Sequence, residues 1–360
     1  MSRKVVAQNG GLFRLKPPFC CSKNLLILIS ILYPYALYAL HNLEASCMIL
    51  YVAKRLLFMV PVILALTFVV FSIMYLTPGD PTAIILGNEF SEEASAKLKA
   101  ELGLDQPFLV QYVNYAFKLV QGDFGTSYIT RAPVRDQLRA RFPNTFAVVI
   151  AAMVVCVGLG VPIGILSATK PNSVFSTITM IFGLMGVSMP IFWLGLLLIL
   201  LFSVKLGWLP PSGLDNGLAS LVLPAITLGT NYMANTMRTT RSSMMESIRQ
   251  DYVRTAQSKG VSEGGVIRNH ALPNALMPTI TVVGMNIGAL LGGVVLCETV
   301  FSIPGTGRLL VESINKRDTP CVLGCLVLMA ICVAVSNLLV DLLYAGIDPR
   351  IKEQYSTGKA

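Results

Sequence analysis

The chain has 360 residues, of which 54% are hydrophobic and only 13% are charged, and its formal net charge is +9. With a mean hydropathy of +0.66, it is too apolar for an ordinary soluble domain and is typical of an integral membrane protein. The eight cysteines and two histidines form no CxxC pair or mixed cluster, so we expect no metal site.

Residues 1–47 do not fit a simple membrane topology. The segment from Asn24 to Leu40 is apolar enough for a marginal span, but the basic residues ahead of it favour the cytoplasm and would push Lys54 and Arg55 outside. Three explanations remain: a removed or interfacial segment, an extra span, or translation drawn from upstream of a start at Met48. We favour the last, which makes 1–47 an extension outside the native protein and 48–360 one transmembrane domain.

Six segments after this extension are long and apolar enough to span a bilayer, which takes roughly 20 residues. The third contains Pro190 and is counted as one kinked span. The six predicted spans are Leu56 to Leu76, Phe146 to Ala168, Ser176 to Val204, Leu218 to Met237, Leu276 to Cys297 and Cys321 to Tyr344.

Basic residues in the short loops predict the orientation. Lys54 and Arg55 precede the first span, Lys170 follows the second, and a basic loop from Arg238 to Arg268 follows the fourth. Arg350 and Lys352 follow the sixth. All fall on one side if both ends of 48–360 are cytoplasmic, with 77–144 an extracytoplasmic loop and 238–275 a cytoplasmic one. The basic charge therefore reflects topology, and we expect no nucleic-acid partner.

The extracytoplasmic loop contains two predicted helices. Ser91 can cap a helix that carries Glu92 and Glu93 in its first turn and ends at Gly103. A second apolar pattern runs from Val110 to Val120 and stops at Gly122. Such helices either pack over the ends of the spans or meet an external partner.

Small and polar residues within the spans indicate helix contacts. Gly284, Gly288 and Gly292 recur at four-residue spacing, as do Gly160 and Gly164. This spacing predicts close helix packing, with a face at the subunit boundary or beside a permeation path as the alternative. Asn286 lies in mid-span and either lines a pore or makes a hydrogen bond to another helix.

The cytoplasmic loop between the fourth and fifth spans is the most informative segment. Asp251 can cap a helix on which Tyr252, Ala256 and Gly260 share a narrow face that a partner could approach closely. We expect Gly260 to end this helix in a left-handed conformation, Ser262 to begin a second one, and Pro273 to limit its length. This organisation predicts a docking element.

The same loop resembles the coupling loop in membrane subunits of ATP-binding-cassette (ABC) importers. Their signature is Glu-Ala-Ala, three residues, Gly, nine residues, then Ile-x-Leu-Pro. Three positions depart from it, where Arg254, Thr255 and His270 replace Glu, the first Ala and Ile. The resemblance implies an ATPase-coupling role for eight residues: Tyr252, Arg254, Thr255, Ala256, Gly260, His270, Leu272 and Pro273.

A narrower resemblance, to the dipeptide, oligopeptide and nickel permease family, extends from Met48 to Lys352. It rests on several long motifs in order: PGDP at 78–81, GDFGTS at 122–127, SMPIFWLG at 188–195, RTAQSKG at 254–260, ETVFSIPGTGR at 298–308 and NLLVDLLYAGIDPRI at 337–351. The segment RDTPCVLG at 317–324 departs from the family's usual RDYPVVQG, which affects the substrate more than the class.

This resemblance implies an all-α, six-span, type I importer-like subunit in the bacterial cytoplasmic (inner) membrane, surrounded by lipid. Its implied partners are a second homologous permease subunit, two cytoplasmic ABC ATPase subunits and an extracytoplasmic substrate-binding protein. The chain contains no GxxxxGK[ST] phosphate loop, so we expect no catalytic residue and no cofactor in it, with ATP and magnesium held by the ATPases.

The resemblance favours peptides as the substrate. A permease for nickel or another small solute is an alternative within the class. An ATP-independent secondary transporter or channel, and a purely structural or receptor-like scaffold, are alternatives outside it.

Overall fold

The computed structural model describes residues 52–347, and nearly all of them form one compact unit that begins at Arg55. The predictions about residues 1–47, and about Arg350 and Lys352, lie outside the described residues.

Thirteen α-helices make up this part of the chain, and it contains no strand beyond an isolated bridge between Thr126 and Pro133. Short non-α helical segments follow α2 (Gly87–Glu89), α7 (Ile199–Lys205) and α10 (Ile267–Ala271). In chain order the helices are α1 Val52–Leu76, α2 Pro81–Leu86, α3 Glu92–Leu102, α4 Phe108–Val120, α5 Val134–Thr169, α6 Val174–Ser188, α7 Ile191–Leu198, α8 Leu218–Ile248, α9 Asp251–Ser258, α10 Glu263–Val266, α11 Leu272–Val300, α12 Thr306–Asn315 and α13 Thr319–Ile347. The predicted all-α membrane fold is confirmed.

Four of the described helical stretches are long and apolar enough to cross a membrane: α1, α5, the continuous stretch Glu263–Val300, and α13. A fifth is obtained if α6 and α7, which meet at a 108° bend, count as one span. The remaining predicted span, the fourth, lies in α8, whose asparagines Asn231 and Asn235 lower its mean hydropathy. The count of six therefore stays a prediction.

Two helices are longer than the predicted spans. α5 begins at Val134 rather than near Phe146, because Val134 and Leu138 are buried in a cluster with residues of α12 and α13. α8 begins at Leu218 as predicted but continues past Met237 to Ile248. Both helices therefore project beyond the apolar segments that the sequence delimits.

Glycines bring α5 and α8 into close contact. A methyl group at Gly160 would lie 3.0 Å from the Met233 carbonyl oxygen, and one at Gly164 would lie 2.8 Å from that of Met237. Gly229 of α8 approaches the Ala152 carbonyl oxygen of α5 in the same way, at 2.6 Å. The prediction of close packing at Gly160 and Gly164 is confirmed.

The predicted glycine row on α11 is only partly right. A side chain at Gly284 would clash with Val340 of α13, and one at Gly288 would meet Val333 at 3.3 Å. Among the described residues, nothing lies within 4 Å of the position that a Cβ of Gly292 would take, so its predicted packing against a helix of this chain is wrong, while a place at the subunit boundary stays a prediction.

The N-terminus of α12 is held by side chains from two other helices. Thr145 of α5 accepts a hydrogen bond from the Thr306 amide (2.8 Å), and the fully buried Glu298 of α11 accepts one from the Arg308 amide (2.9 Å). Gly305 lies directly against the Glu298 carboxylate, where a side chain would clash. These contacts satisfy amide groups that a helix N-terminus leaves unpaired.

Helix α3, in the loop between the first two predicted spans, has the predicted cap and end. The Ser91 hydroxyl accepts from the Ala94 amide (3.1 Å), and Gly103 ends the helix at φ +67°. Nearby, Asp80 caps α2 and pairs with Lys99 of α3 at 2.6 Å. Burial works to raise the pKa of the Asp80 carboxyl, but hydrogen bonds from Lys99 and Thr82 outweigh it and hold the pKa below its ordinary value of 3.8.

Candidate functional site

The candidate site is the loop that joins α8 to α11, which the sequence predicts to be cytoplasmic. Its first helix, α9, begins one residue earlier than predicted: Gln250 is the N-cap in an extended conformation, and Asp251 is the first helical residue. Asp251 is therefore not the cap, and it instead places a carboxylate in the first turn, where the helix dipole favours negative charge.

Gly260 ends α9 as predicted, with φ +81°. The Gly260 amide donates to the Gln257 carbonyl (2.9 Å), and the Val261 amide donates to the Ala256 carbonyl (3.3 Å). These two hydrogen bonds form a Schellman motif, in which a left-handed residue closes the helix. Nothing lies within 4 Å of a Cβ built on Gly260, so glycine is favoured here by backbone conformation rather than by lack of space.

One side of α9 is buried against the rest of the chain. Val253 (0% exposed) and Ala256 (6% exposed) belong to what we term the cytoplasmic cluster. Ala256 therefore cannot share a partner-facing surface with Tyr252 and Gly260, and that prediction is wrong. The buried members of the cytoplasmic cluster are Ala168 of α5, Met244 of α8, Val253, Ala256, Val266, Ala271 and Ala275.

The opposite side of α9 is open. Tyr252 is 40% exposed, and Arg254, Thr255, Lys259 and Gly260 are also exposed. Spacings of three and four residues place Tyr252, Thr255 and Lys259 on one helical face. The surface available to a partner thus has an aromatic ring, a hydroxyl and basic groups, rather than the narrow small-residue face that was predicted.

The second helix begins as predicted but does not stop at Pro273. Ser262 accepts from the Gly265 amide at 3.4 Å, and Glu263 follows in the first turn. The helix continues through the wider π-type turn Ile267–Ala271 into α11. Because a π turn relaxes the hydrogen-bond ladder where proline removes a donor, Pro273 is accommodated at the start of α11.

The remaining residues of the coupling signature lie around this continuous helix. His270 and Pro273 are exposed and Leu272 is half-buried, packed against the cytoplasmic cluster. The described structure thus brings the predicted coupling residues into one loop region. It divides them between a buried side, which attaches α9 to α5, α8 and α11, and an exposed side.

Asn286 lies apart from this loop, in the interface of α5, α8 and α11. It is 5% exposed, and its amide donates to the Thr236 hydroxyl at 3.0 Å. The structure therefore assigns Asn286 to the helix–helix hydrogen bond, and the pore-lining prediction is wrong. Close packing of α8 on α11 leaves the amide no open side.

Sequence reasoning missed a polar contact site at the N-terminal end of α13. Arg317 donates to the carbonyls of Thr77 (3.0 Å), Gly79 (3.1 Å) and Pro78, and Asp318 accepts from Ser127 and from the Tyr128 amide (3.0 Å). These contacts join the PGDP, GDFGTS and RDTP motifs. Burial, together with the nearby Asp318 charge, raises the pKa of Tyr128 to about 12. The adjacent Arg-Asp pair was the available signal.

Two family models match this chain. One is described as a binding-protein-dependent transport system inner membrane component and matches residues 160–353. The other is the N-terminal model of such membrane components and matches residues 48–149. The chain belongs to this family.

Three relatives of this chain align with it over nearly their whole length. The dipeptide transport system permease protein DppB of Alkalihalophilus pseudofirmus is 44% identical over 85% of this chain and 100% of its own. The glutathione transport system permease protein GsiC of Salmonella typhi is 42% identical over 85% and 99%. DppB of Escherichia coli is 39% identical over 85% and 100%.

Membership in this family makes the chain a multi-pass inner membrane permease and a transport subunit of an ABC importer. It also implies, in general terms, an ATPase and a substrate-binding protein as partners.

Proposed function

We propose that this chain forms half of the translocation pathway of an importer for di- and oligopeptides. The substrate class is supported by its relatives, whose names specify dipeptide and glutathione transport. In this proposal it pairs with a second homologous permease subunit, two cytoplasmic ATPase subunits and an extracytoplasmic binding protein. Both ends of 48–360 face the cytoplasm, and ATP and magnesium are bound and used by the ATPases.

The observation that carries the proposal is the two-sided character of α9. Its buried side, with Val253 and Ala256, is packed against the cytoplasmic ends of α5, α8 and α11. Its exposed side offers Tyr252 and basic residues to a partner. Packed interiors transmit displacement because they have few voids, so force applied to the exposed side of α9 moves three helices together.

This arrangement suits a transporter that alternates between two states. ATP binding closes the partner ATPases and moves α9 as a rigid body, and the attached helices tilt so that a central cavity opens to one side or the other. ATP binding in the partner and the direction of opening are then linked equilibria. The left-handed Gly260 fixes the end of the moving helix.

The proposal is tested by uptake of a labelled dipeptide into proteoliposomes that contain the complete transporter, with its matched binding protein present. We expect uptake to require ATP and to continue when ion gradients are dissipated. Uptake that continues without ATP but stops without an ion gradient would show a secondary transporter instead.

A variant isolates the role of α9. Tyr252→Ala removes an exposed ring, so assembly of the permease pair should be unchanged while substrate-stimulated ATP hydrolysis and uptake fall together. Lys97→Ala, at an exposed position of α3, is the control and should transport normally. Normal coupling in Tyr252→Ala and Thr255→Ala alike would remove the exposed side of α9 from the mechanism.

A further inference from the structure

The extracytoplasmic helix α4 has three different faces, and the proposed transport cycle accounts for none of them. One face packs on α1, a second is polar, and the third is apolar and exposed. The exposed apolar side chains, with their exposed fractions, are Leu109 (64%), Val110 (44%), Val113 (60%), Phe117 (68%) and Val120 (70%).

The contact with α1 fixes the depth of α4. The Phe108 ring lies 5.1 Å from that of Tyr75, near the last turn of α1, and the Tyr112 hydroxyl donates to the Leu64 carbonyl at 2.7 Å. Tyr75 and Leu64 are separated by about 16 Å along a helix that rises about 1.5 Å per residue. That distance is roughly half of a hydrocarbon core of about 30 Å. The contact surface of α4 is therefore the half of α1 that ends at Leu76.

The polar face of α4 points towards the loop that precedes it. Gln111 donates to the carbonyls of Leu104 (3.1 Å) and Gln106 (2.7 Å), and Asn114 donates to the Gln106 side chain (3.3 Å). Helical positions 111, 114 and 118 share this side, with Lys118 at the end. The polar groups are thus gathered on a side of the helix separate from the exposed apolar one.

Side chains of α1 at the same depth are also apolar and exposed. Val69 is 54% exposed, Ile73 is 58% exposed and Leu76 is 78% exposed, and α1 is long and apolar enough to span a membrane. A helix attached to the half-span that carries these side chains lies at the level of one membrane leaflet. Its apolar face, like these side chains of α1, is left uncovered by the described residues.

We propose that α4 is a membrane-embedded amphipathic helix whose exposed apolar face is covered by the acyl chains of that leaflet, with its polar face towards the headgroups and water. Amphipathic helices contact the acyl chains of a bilayer through their apolar side. Naming the leaflet the outer one rests on the proposed orientation, but lipid contact itself does not. Residues 77–144 are then not wholly extracytoplasmic, since α4 anchors them in the bilayer.

Photo-crosslinking of the complete transporter in its native membrane tests the proposal. The photoreactive residue p-benzoylphenylalanine replaces Val113 or Phe117, with Asn114 as the polar-face control and Leu57 of α1 as the span control. Mass spectrometry of the modified peptide identifies what was captured. We expect lipid adducts at 113 and 117, as at 57, and several-fold fewer at 114. Adducts with another subunit or the binding protein at both apolar positions would overturn the proposal, as would the absence of lipid adducts there.

A second measurement covers the case in which the bulky probe disturbs the helix. Val113→Cys and Asn114→Cys are treated with a membrane-impermeant maleimide, and modification is quantified on the peptide that contains the site. We expect Asn114→Cys to react several-fold faster than Val113→Cys. Equal, rapid modification of both would show that the apolar face is in water. Because neither experiment requires transport, their failure is separate from failure of the proposed function.

Discussion

Asn286→Ala distinguishes a structural asparagine from one that touches substrate. The substitution removes a buried amide that donates to the Thr236 hydroxyl at 3.0 Å. Hydrogen bonds between membrane helices contribute on average about 0.6 kcal/mol and at most about 1.7 kcal/mol. Thr236 keeps a hydrogen bond of its own to the Tyr232 carbonyl at 3.2 Å, which limits the damage. With a small contribution from the space left behind, we expect a loss of about 1–2 kcal/mol.

The assay for this variant compares thermal unfolding of the purified transporter with uptake of several peptides at a temperature where it is folded. We expect a lower unfolding midpoint and unchanged relative preference among the peptides. Asn337→Ala, at an exposed position of α13, is the control and should change stability by less than about 0.5 kcal/mol. Altered peptide preference with unchanged stability would refute the reasoning and return Asn286 to the pore.

Three further predictions concern packing, pH and capping. Gly164→Ala should destabilise the transporter by about 1–3 kcal/mol, because the added methyl would lie 2.8 Å from a carbonyl oxygen of α8. Gly158→Ala on the same helix has open space and should be neutral. Equal unfolding midpoints for the two variants would contradict the close contact. The folded-state pKa of Asp80 is lowered, so its pairing with Lys99 should stabilise helices α2 and α3 at neutral pH and lose that effect as the pH falls through and below 3.8. In that acidic range, hydrogen exchange of α2 and α3 should rise in the unsubstituted protein but not further in Asp80→Asn. Gly305→Ala should displace the Glu298 carboxylate that caps α12 and increase proteolysis near the N-terminus of α12. Unchanged proteolysis would be evidence against the cap.

Local chemistry made several elements predictable from the sequence. Ser91 and Gly103 delimit α3 as expected, since a serine cap and a left-handed glycine act within one turn of helix. Gly260 ends α9 for the same reason. Even here the cap of α9 was misplaced by one residue, because Gln250 adopts the extended conformation without a capping side chain.

The orientation of side chains around a helix was not predictable in the same way. Ala256 was expected to face a partner, but the chain's own cytoplasmic cluster buries it. Gly292 shares its spacing with Gly284 and yet meets nothing. Spacing specifies which residues share a face, whereas the neighbour that covers the face depends on distant helices that a single sequence does not locate.

The central claim is that force reaches the permease through the exposed side of α9. It is tested most directly by Thr255→Cys crosslinked in the assembled transporter, because Thr255 is exposed where Ala256 is buried. We expect the cysteine to capture an ATPase subunit, with a yield that changes between nucleotide-free and ATP-bound states, and the crosslink to stop uptake. Lys97→Cys on α3, which the proposed orientation places on the other side of the membrane, should capture no ATPase. A transporter that imports dipeptide with ATP while position 255 never contacts an ATPase in any nucleotide state would contradict the account.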